Sequence, residues 1–315
     1  MFLGIEIGGT KLQLALGSGD GNLLALWRGS VNPAEGGDGI REQIVTAVPE
    51  LLASANVDRS QLRGVGVGFG GPTDDATQSV IKSHHIDGWT GFPLAAWLSE
   101  AIGLPTVICN DADVAGLGEA LHGAGKGLSP IFYVTVGTGI GGGLIIQGEI
   151  YRGVGKGAAE IGHLIVNPWE EGTPRDQWIT EAFAAGWGIE RMATQLAETD
   201  PELARYAVKG RITGKTLASA ARDNVECAKL VLSIAIDALA TALTHTITLL
   251  CPRRIVIGGG VSLMGEDLFF DPLRKAVAAQ AFQAFAGITD IVPAALGEEV
   301  VLHGALALAQ RTFRG

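Results

Sequence analysis

Cysteine is scarce in this chain, with three in 315 residues: Cys109, Cys227 and Cys251. No two are close enough for a C-x-x-C site, and so odd and sparse a count argues against a disulfide framework. It fits reduced, buried thiols in a cytoplasmic protein. Basic runs are missing as well. Lys and Arg number 23 against 33 Asp and Glu, a net charge of −10, so nucleic acid is not an expected partner. Aromatic residues make up 6%, which leaves Ala, Val, Leu and Ile to build the core. No uninterrupted apolar run is long enough to be a convincing membrane span. The nearest, Leu230–Leu250, is broken by Asp237, His245 and several threonines, and reads as a long buried helix. The opening segment is interrupted by Glu6 and Gly8-Gly9, so a secretory signal is not expected. A Walker A loop is lacking too, because Gly210–Thr216 has three residues between its glycines where the motif requires four.

What the chain has in abundance is glycine, 46 residues without a collagen-like period, clustered at the ends of apolar runs. That pattern predicts an α/β protein with tight loops. The most informative stretch is Ile131–Ile146, IFYVTVGTGIGGGLII, in which two β-branched runs flank the glycine loop that begins Gly137-Thr138-Gly139. Such runs form strands, and a loop with so little side chain lets backbone N–H groups approach a phosphate. The N-terminus repeats the idea: Leu3–Ile7, then Gly8-Gly9-Thr10-Lys11, then Leu12–Leu16. Two such loops facing one another can hold a polyphosphate. Gly137, Gly139 and Gly142 also fit G-x-G-x-x-G, but a strand follows where the dinucleotide motif needs a helix, so the oxidoreductase reading fails on context.

Along the chain, strands are expected at Val65–Phe69, Pro105–Cys109, Arg254–Ile257 and Ile291–Val292. Helices are expected at Ile40–Ala55, Leu94–Ile102, Ala112–Leu121, within Ile179–Ala197, around Leu217–Arg222, over the long apolar segment, near Pro272–Ala284 and at His303–Arg311. Asn110 or Asp111 is the expected cap of the helix that starts at Ala112. The expected domains are residues 1–122, completed by a C-terminal helix at about 301–315, and residues 123–300.

Seven stretches now stand in order: GIEIGGTK (4–11), GGP (70–72), GW (88–89), NDAD (110–113), VTVGTGIGGGL (134–144), EIGH (160–163) and IVIGGGVS (255–262). Together they resemble the sugar kinases of the ROK family (repressor, open reading frame, kinase). The resemblance covers nearly the whole chain. It implies an α/β, two-lobed actin-like ATPase fold, related to ribonuclease H, with a cleft between the lobes. It also implies an ATP- and Mg2+-dependent phosphotransferase acting on a hexose, and a homodimer or larger homo-oligomer. Repressors of the family carry an extra N-terminal helix-turn-helix, whereas this chain opens on the first hairpin, which favours the kinase branch.

Carried over position by position, Gly8, Gly9 and Thr10 match the first phosphate loop, Gly137, Thr138 and Gly139 the second, and Gly258, Gly259 and Gly260 the segment near the nucleoside. Lys11 joins the ATP positions, although tuning the hairpin surface is its plainer role. Asp111 matches the catalytic carboxylate. Gly71, Asn110, Asp111, Glu160, His163 and Glu181 fall on the sugar side. Glu6, where many members have Asp, is the candidate to hold Mg2+ through water. In much of the family His163 joins a cysteine cluster on a structural zinc. Residues 164–181 contain no cysteine here, so no zinc is expected. Trp169 and Trp178 are then candidates to order that loop by packing.

The chemistry fits independently. Phosphoryl transfer to an alcohol needs a base near the hydroxyl, a metal on the phosphates and donors that spread negative charge. The plainer alternatives are a helix cap for Asp111, a surface position for Glu160 and a structural role for His163. His85, where Asn is common, and Asp113, also in place of Asn, depart from the family near the sugar. Glucose phosphorylated at its 6-hydroxyl is the first expectation, with fructose or an N-acetylhexosamine as the alternatives. A sugar-sensing protein without activity is the rival from another class.

Overall fold

A computed structural model describes residues 1–83, 86–166 and 177–314. In chain order the strands are β1 (Phe2–Ile7), β2 (Lys11–Gly17), β3 (Leu23–Ser30), β4 (Val65–Phe69), β5 (Thr73–Asp74), β6 (Ser79–Val80), β7 (Thr106–Asn110), β8 (Ile131–Val136), β9 (Ile140–Ile146), β10 (Glu149–Ile150), β11 (Arg254–Gly258) and β12 (Asp290–Pro293). The helices are α1 (Gly36–Ser54), α2 (Leu94–Ile102), α3 (Asp111–His122), α4 (Thr180–Ala184), α5 (Gly186–Ala197), α6 (Pro201–Ala204), α7 (Gly214–Arg222), α8 (Glu226–Leu250), α9 (Asp271–Gln280) and α10 (Val300–Thr312).

The chain divides into two compact units. The first comprises residues 1–133, 143–158 and 294–315, and the second residues 134–142 and 159–293. The first unit holds a five-stranded sheet in the order β3-β2-β1-β4-β7. Strands β1, β2 and β3 form an antiparallel meander, while β1, β4 and β7 run parallel. Every residue of β1 and β4 is buried, which explains apolar runs without alternation. Helix α10 lies on this sheet and on α3 because glycines admit it. A methyl group on Gly66 would stand 2.0 Å from the carbonyl oxygen of Ala305, and one on Gly304 would stand 1.8 Å from that of Val114.

Residues 143–158 belong to the first unit, although the sequence reading put them in the later lobe. Two contacts explain the difference. Gly143 packs on the backbone of Ala112, and Arg152 forms ion pairs with Asp75 and Asp113.

A second five-stranded sheet repeats the same connectivity in the order β10-β9-β8-β11-β12, with β11 and β12 parallel and the β8–β9 hairpin divided between the units. In the second unit, α8 packs against α9, α4, α5 and α7. By length and hydropathy it is apolar enough to cross a membrane, yet 61% of its most apolar window is buried within the protein. The thiols are not uniformly buried, contrary to expectation: Cys109 is buried, Cys227 half-buried and Cys251 exposed in a left-handed cap of α8.

Candidate functional site

The first unit gathers its site at the carboxyl ends of three parallel strands. The register aligns Ile7 with Phe69 and Phe69 with Asn110, so the segments that leave β1, β4 and β7 emerge side by side. Those segments are Gly8-Gly9-Thr10, Gly70-Gly71 and Asn110-Asp111, and crevices at such strand ends are where open α/β sheets take ligands. Backbone bonds tie them together. Gly70 N–H donates to the Ile7 carbonyl at 2.8 Å, and the Asn110 amide donates to the Gly71 carbonyl at 3.1 Å. Gly8, Gly9 and Gly70 share a small cavity with the buried Trp89, which packs edge-on against Phe69 with centroids 5.3 Å apart.

Asn110 is the cap of α3. Its Oδ1 accepts from Ala112 N–H at 2.9 Å and from Asp113 N–H at 3.3 Å. Asp111 Oδ1 also accepts from Ala112 N–H, at 2.8 Å, and its Oδ2 lies 3.5 Å from where a methyl group on Gly70 would sit. The carboxylate thus stands at the first turn of α3, in the N-terminal field that favours an anion.

Glu6 is 5% exposed in the middle of this sheet, and its Oε1 meets the Lys11 ammonium at 3.0 Å. Burial pushes its carboxyl above the ordinary value, against the opposing pull of Lys11. The second oxygen, Oε2, is buried and has no hydrogen-bond partner among the described residues, so the residue retains an acceptor that suits a metal-bound water. Lys11 itself reaches Glu6 and the carbonyl of Glu298, both in the first unit.

The second unit brings two of its expected segments together. Val261 N–H donates to the Val136 carbonyl at 2.9 Å, which seats the Gly258-Gly259-Gly260 turn against the start of the phosphate loop. Gly137, Thr138 and Gly260 line one cavity of about 1220 Å3, whereas Gly139, Gly258 and Gly259 do not. Within the loop, Gly137 N–H donates to the Gly139 carbonyl, and Ile140 N–H donates to Glu181 at 2.7 Å. Among the described residues no acceptor takes the N–H groups of Thr138 and Gly139.

Glu160 and His163 are exposed on the second unit, beside β9. Their segment packs closely on that strand, since a methyl group on Gly142 would lie 2.3 Å from the Ala159 carbonyl and one on Gly162 2.3 Å from that of Ile140. Among the described residues no group of three or more His, Cys, Asp or Glu is arranged to hold a metal. His85 and Trp169 lie outside the described residues.

Several residues escaped the sequence reading. Trp187, Glu190, Arg191, Arg211, Lys215 and Arg222 all line the large cavity. The rejected Walker-like stretch supplies Thr213, Gly214 and Lys215 to its wall, with Glu190 accepting from Gly214 N–H at 3.0 Å. A helical stripe recurring at 187, 190, 191 and 194 was the available signal. Asp113 also proves to be committed: it is 1% exposed and paired with Arg152, which further bonds Asp75 at 2.9 Å and the Thr73 carbonyl at 3.0 Å.

Comparison with known proteins matches this geometry to a family. The chain is 34% identical to a glucokinase of Halalkalibacterium halodurans over 309 residues, 96% of this chain and 93% of that protein. A ROK family glucokinase from Streptomyces griseus, solved in complex with glucose and AMPPNP, is 32% identical. It superposes with a TM-score of 0.81 over 98% of this chain and 99% of its own. A ROK hexokinase from Thermus thermophilus is 27% identical, with a TM-score of 0.84 over 99% of both chains. The α/β fold is therefore the actin-like ATPase fold of those kinases, as the resemblance implied. The model of the ROK family matches residues 2–312, through both units from β1 to the last helix, and the chain belongs to that family.

Proposed function

We propose that the protein is an ATP-dependent hexose kinase that transfers the γ-phosphoryl group to the 6-hydroxyl of glucose. One observation carries this reading most directly. The first unit carries a carboxylate at the carboxyl end of β7, and the second holds a cavity of about 1220 Å3 whose lining includes Gly137 and Thr138 of the β8–β9 loop. Its glucokinase relatives supply the choice of sugar.

In this reading Asp111 accepts the proton of the sugar hydroxyl as its oxygen attacks the γ-phosphorus and ADP departs. Such a base contributes about a hundred- to ten-thousand-fold. Asn110, Gly71, Glu160, His163 and Glu181 orient the sugar. The N–H groups of Thr138 and Gly139 spread the charge of the phosphates, and Gly8, Gly9 and Thr10 serve the same end. The nucleoside occupies the large cavity beside Gly260. Glu6 would hold Mg2+ through water at its unpartnered oxygen, and the ion, when bound, would neutralise charge on the phosphates. The same reading makes the protein a cytoplasmic homo-oligomer.

The test is ADP release from Mg2+-ATP across a panel of hexoses and N-acetylhexosamines, against a blank without sugar. Glucose should stand clear of the rest. Fructose or an N-acetylhexosamine standing clear would replace the acceptor and keep the enzyme. Sugar binding without ADP formation would replace the kinase with a sensor.

A further inference from the structure

The second phosphate loop is held from one remote stretch, residues 181–187. Glu181 Oε2 accepts from Ile140 N–H at 2.7 Å. Gly186 N–H donates to the Gly137 carbonyl at 2.8 Å, and Trp187 N–H donates to that of Thr138 at 3.4 Å. The carboxylate lies so near that a methyl group on Gly139 would fall 2.7 Å from Oε2. Glu181 thus grips the loop at its exit while the start of α5 grips its entry.

We propose that Glu181 is a positioning residue of this loop: its carboxylate fixes the conformation in which Thr138 and Gly139 present their N–H groups to the nucleotide. The inference rests on the nucleotide reading given above and adds to the sugar-side role of the same residue. The bond from Ile140 N–H to Glu181 Oε2, at 2.7 Å, depends on an oxygen that reaches the loop. Here it is formed before any nucleotide arrives, so the donors are set in place without reorganisation.

Two near-isosteric variants separate reach from charge. Glu181→Gln keeps an oxygen within reach of Ile140 N–H and loses the charge. Glu181→Asp keeps the charge and is one methylene too short. Amide hydrogen exchange of peptides spanning 134–146 is measured without ligand, and binding of a non-hydrolysable ATP analogue is measured without sugar. Glu181→Asp should speed exchange at Ile140 and weaken the analogue about tenfold. Glu181→Gln should stay within about threefold of the parent in both. Exchange and nucleotide affinity unchanged in Glu181→Asp, with only sugar affinity reduced, would overturn the assignment and leave a sugar ligand. So would two variants that suffer equally, because an oxygen within reach would then not suffice to hold the loop. Parent protein that binds no nucleotide would overturn the nucleotide reading itself, a distinguishable failure because the exchange measurement needs no ligand.

Discussion

The two strand–glycine–strand loops are alike in sequence and differ in what holds them. The first closes on its own neighbours: Gly8 N–H donates to the Lys11 carbonyl and Val31 N–H to that of Thr10, each at 3.0 Å. The second is held by Glu181, Gly186 and Trp187, more than forty residues downstream. A loop closed by its own hairpin keeps its shape wherever the hairpin forms. A loop closed by distant helices takes the shape that those helices dictate, and anything that shifts them shifts the loop. The surroundings differ as well. The first loop is flanked by a buried carboxylate and a lysine, whereas the second opens on a cavity walled by Arg191, Arg211, Lys215 and Arg222.

The contrast between chemistry and support can be broken most severely at Asp111. Asp111→Asn should lower kcat by about a hundred- to ten-thousand-fold. Its thermal unfolding should stay close to the parent's, because Asn110 caps α3. Turnover near that of the parent would remove Asp111 from the base role.

Next in size is Arg152, which is 12% exposed and paired with Asp113, 2% exposed at its side chain. Arg152→Ala leaves a buried carboxylate without its cation and should cost about 3–5 kcal/mol in urea unfolding. Arg152→Ala combined with Asp113→Asn should recover much of that loss. A double variant as unstable as the single would show that packing by the guanidinium, not charge, is the contribution. The half-buried counterpart, Lys11→Ala beside the buried Glu6, should cost less than Arg152→Ala, because the lysine end of that pair is partly solvated.

A third pair sets a glycine of the first loop against one in the turn that packs beside the second. Gly259 has φ +89°, and a methyl group there would stand 2.6–2.7 Å from three backbone atoms of Val136. Gly259→Ala should cost about 3 kcal/mol, since neither backbone can yield. At Gly8 the nearest atom is the Lys11 carbonyl at 3.3 Å, so Gly8→Ala should cost less than about 1 kcal/mol. Equal losses in urea unfolding would show that the Val136 backbone yields to the added methyl group.

Legibility in the sequence follows the same line. Strands β1, β4 and β11 are largely apolar runs that lead into glycine, interrupted only by Glu6 and opened by Arg254, so their places could be read directly, as could α2 and the long α8. Gly137, Thr138 and Gly260, which line the large cavity, were legible because close backbone approach demands small residues. The cations of the large cavity were not. Each lies on an ordinary amphipathic helix or its lead-in, and only the packing of α5 beside α7 turns them to one space. Arg152 was hidden for a similar reason: its partners, Asp75 and Asp113, stand 77 and 39 residues away. Asp113 therefore read as a departure near the sugar, when its carboxylate is committed to that arginine.

The smallest expected effect lies in the first loop and concerns Glu6. Its burial raises the folded-state carboxyl above the ordinary value of 4.5, with Lys11 only partly opposing the shift. The folded chain therefore holds this proton to higher pH than the unfolded chain does. The group's contribution to stability is greatest below 4.5 and declines as pH rises through the folded value, where the unfolded state has already released its proton. At neutral pH the ionised side chain is thus a net cost to the fold, retained at a position suited to a metal-bound water. Glu6→Gln should be more stable than the parent at pH 7, lose the decline above 4.5 and turn over more slowly. Melting temperatures of parent and variant between pH 4 and 8 would decide the matter. A variant that melts lower than the parent at pH 7 would mean that the Lys11 pair outweighs the burial of the charge. The first loop would then be stabilised by its ion pair rather than strained by it.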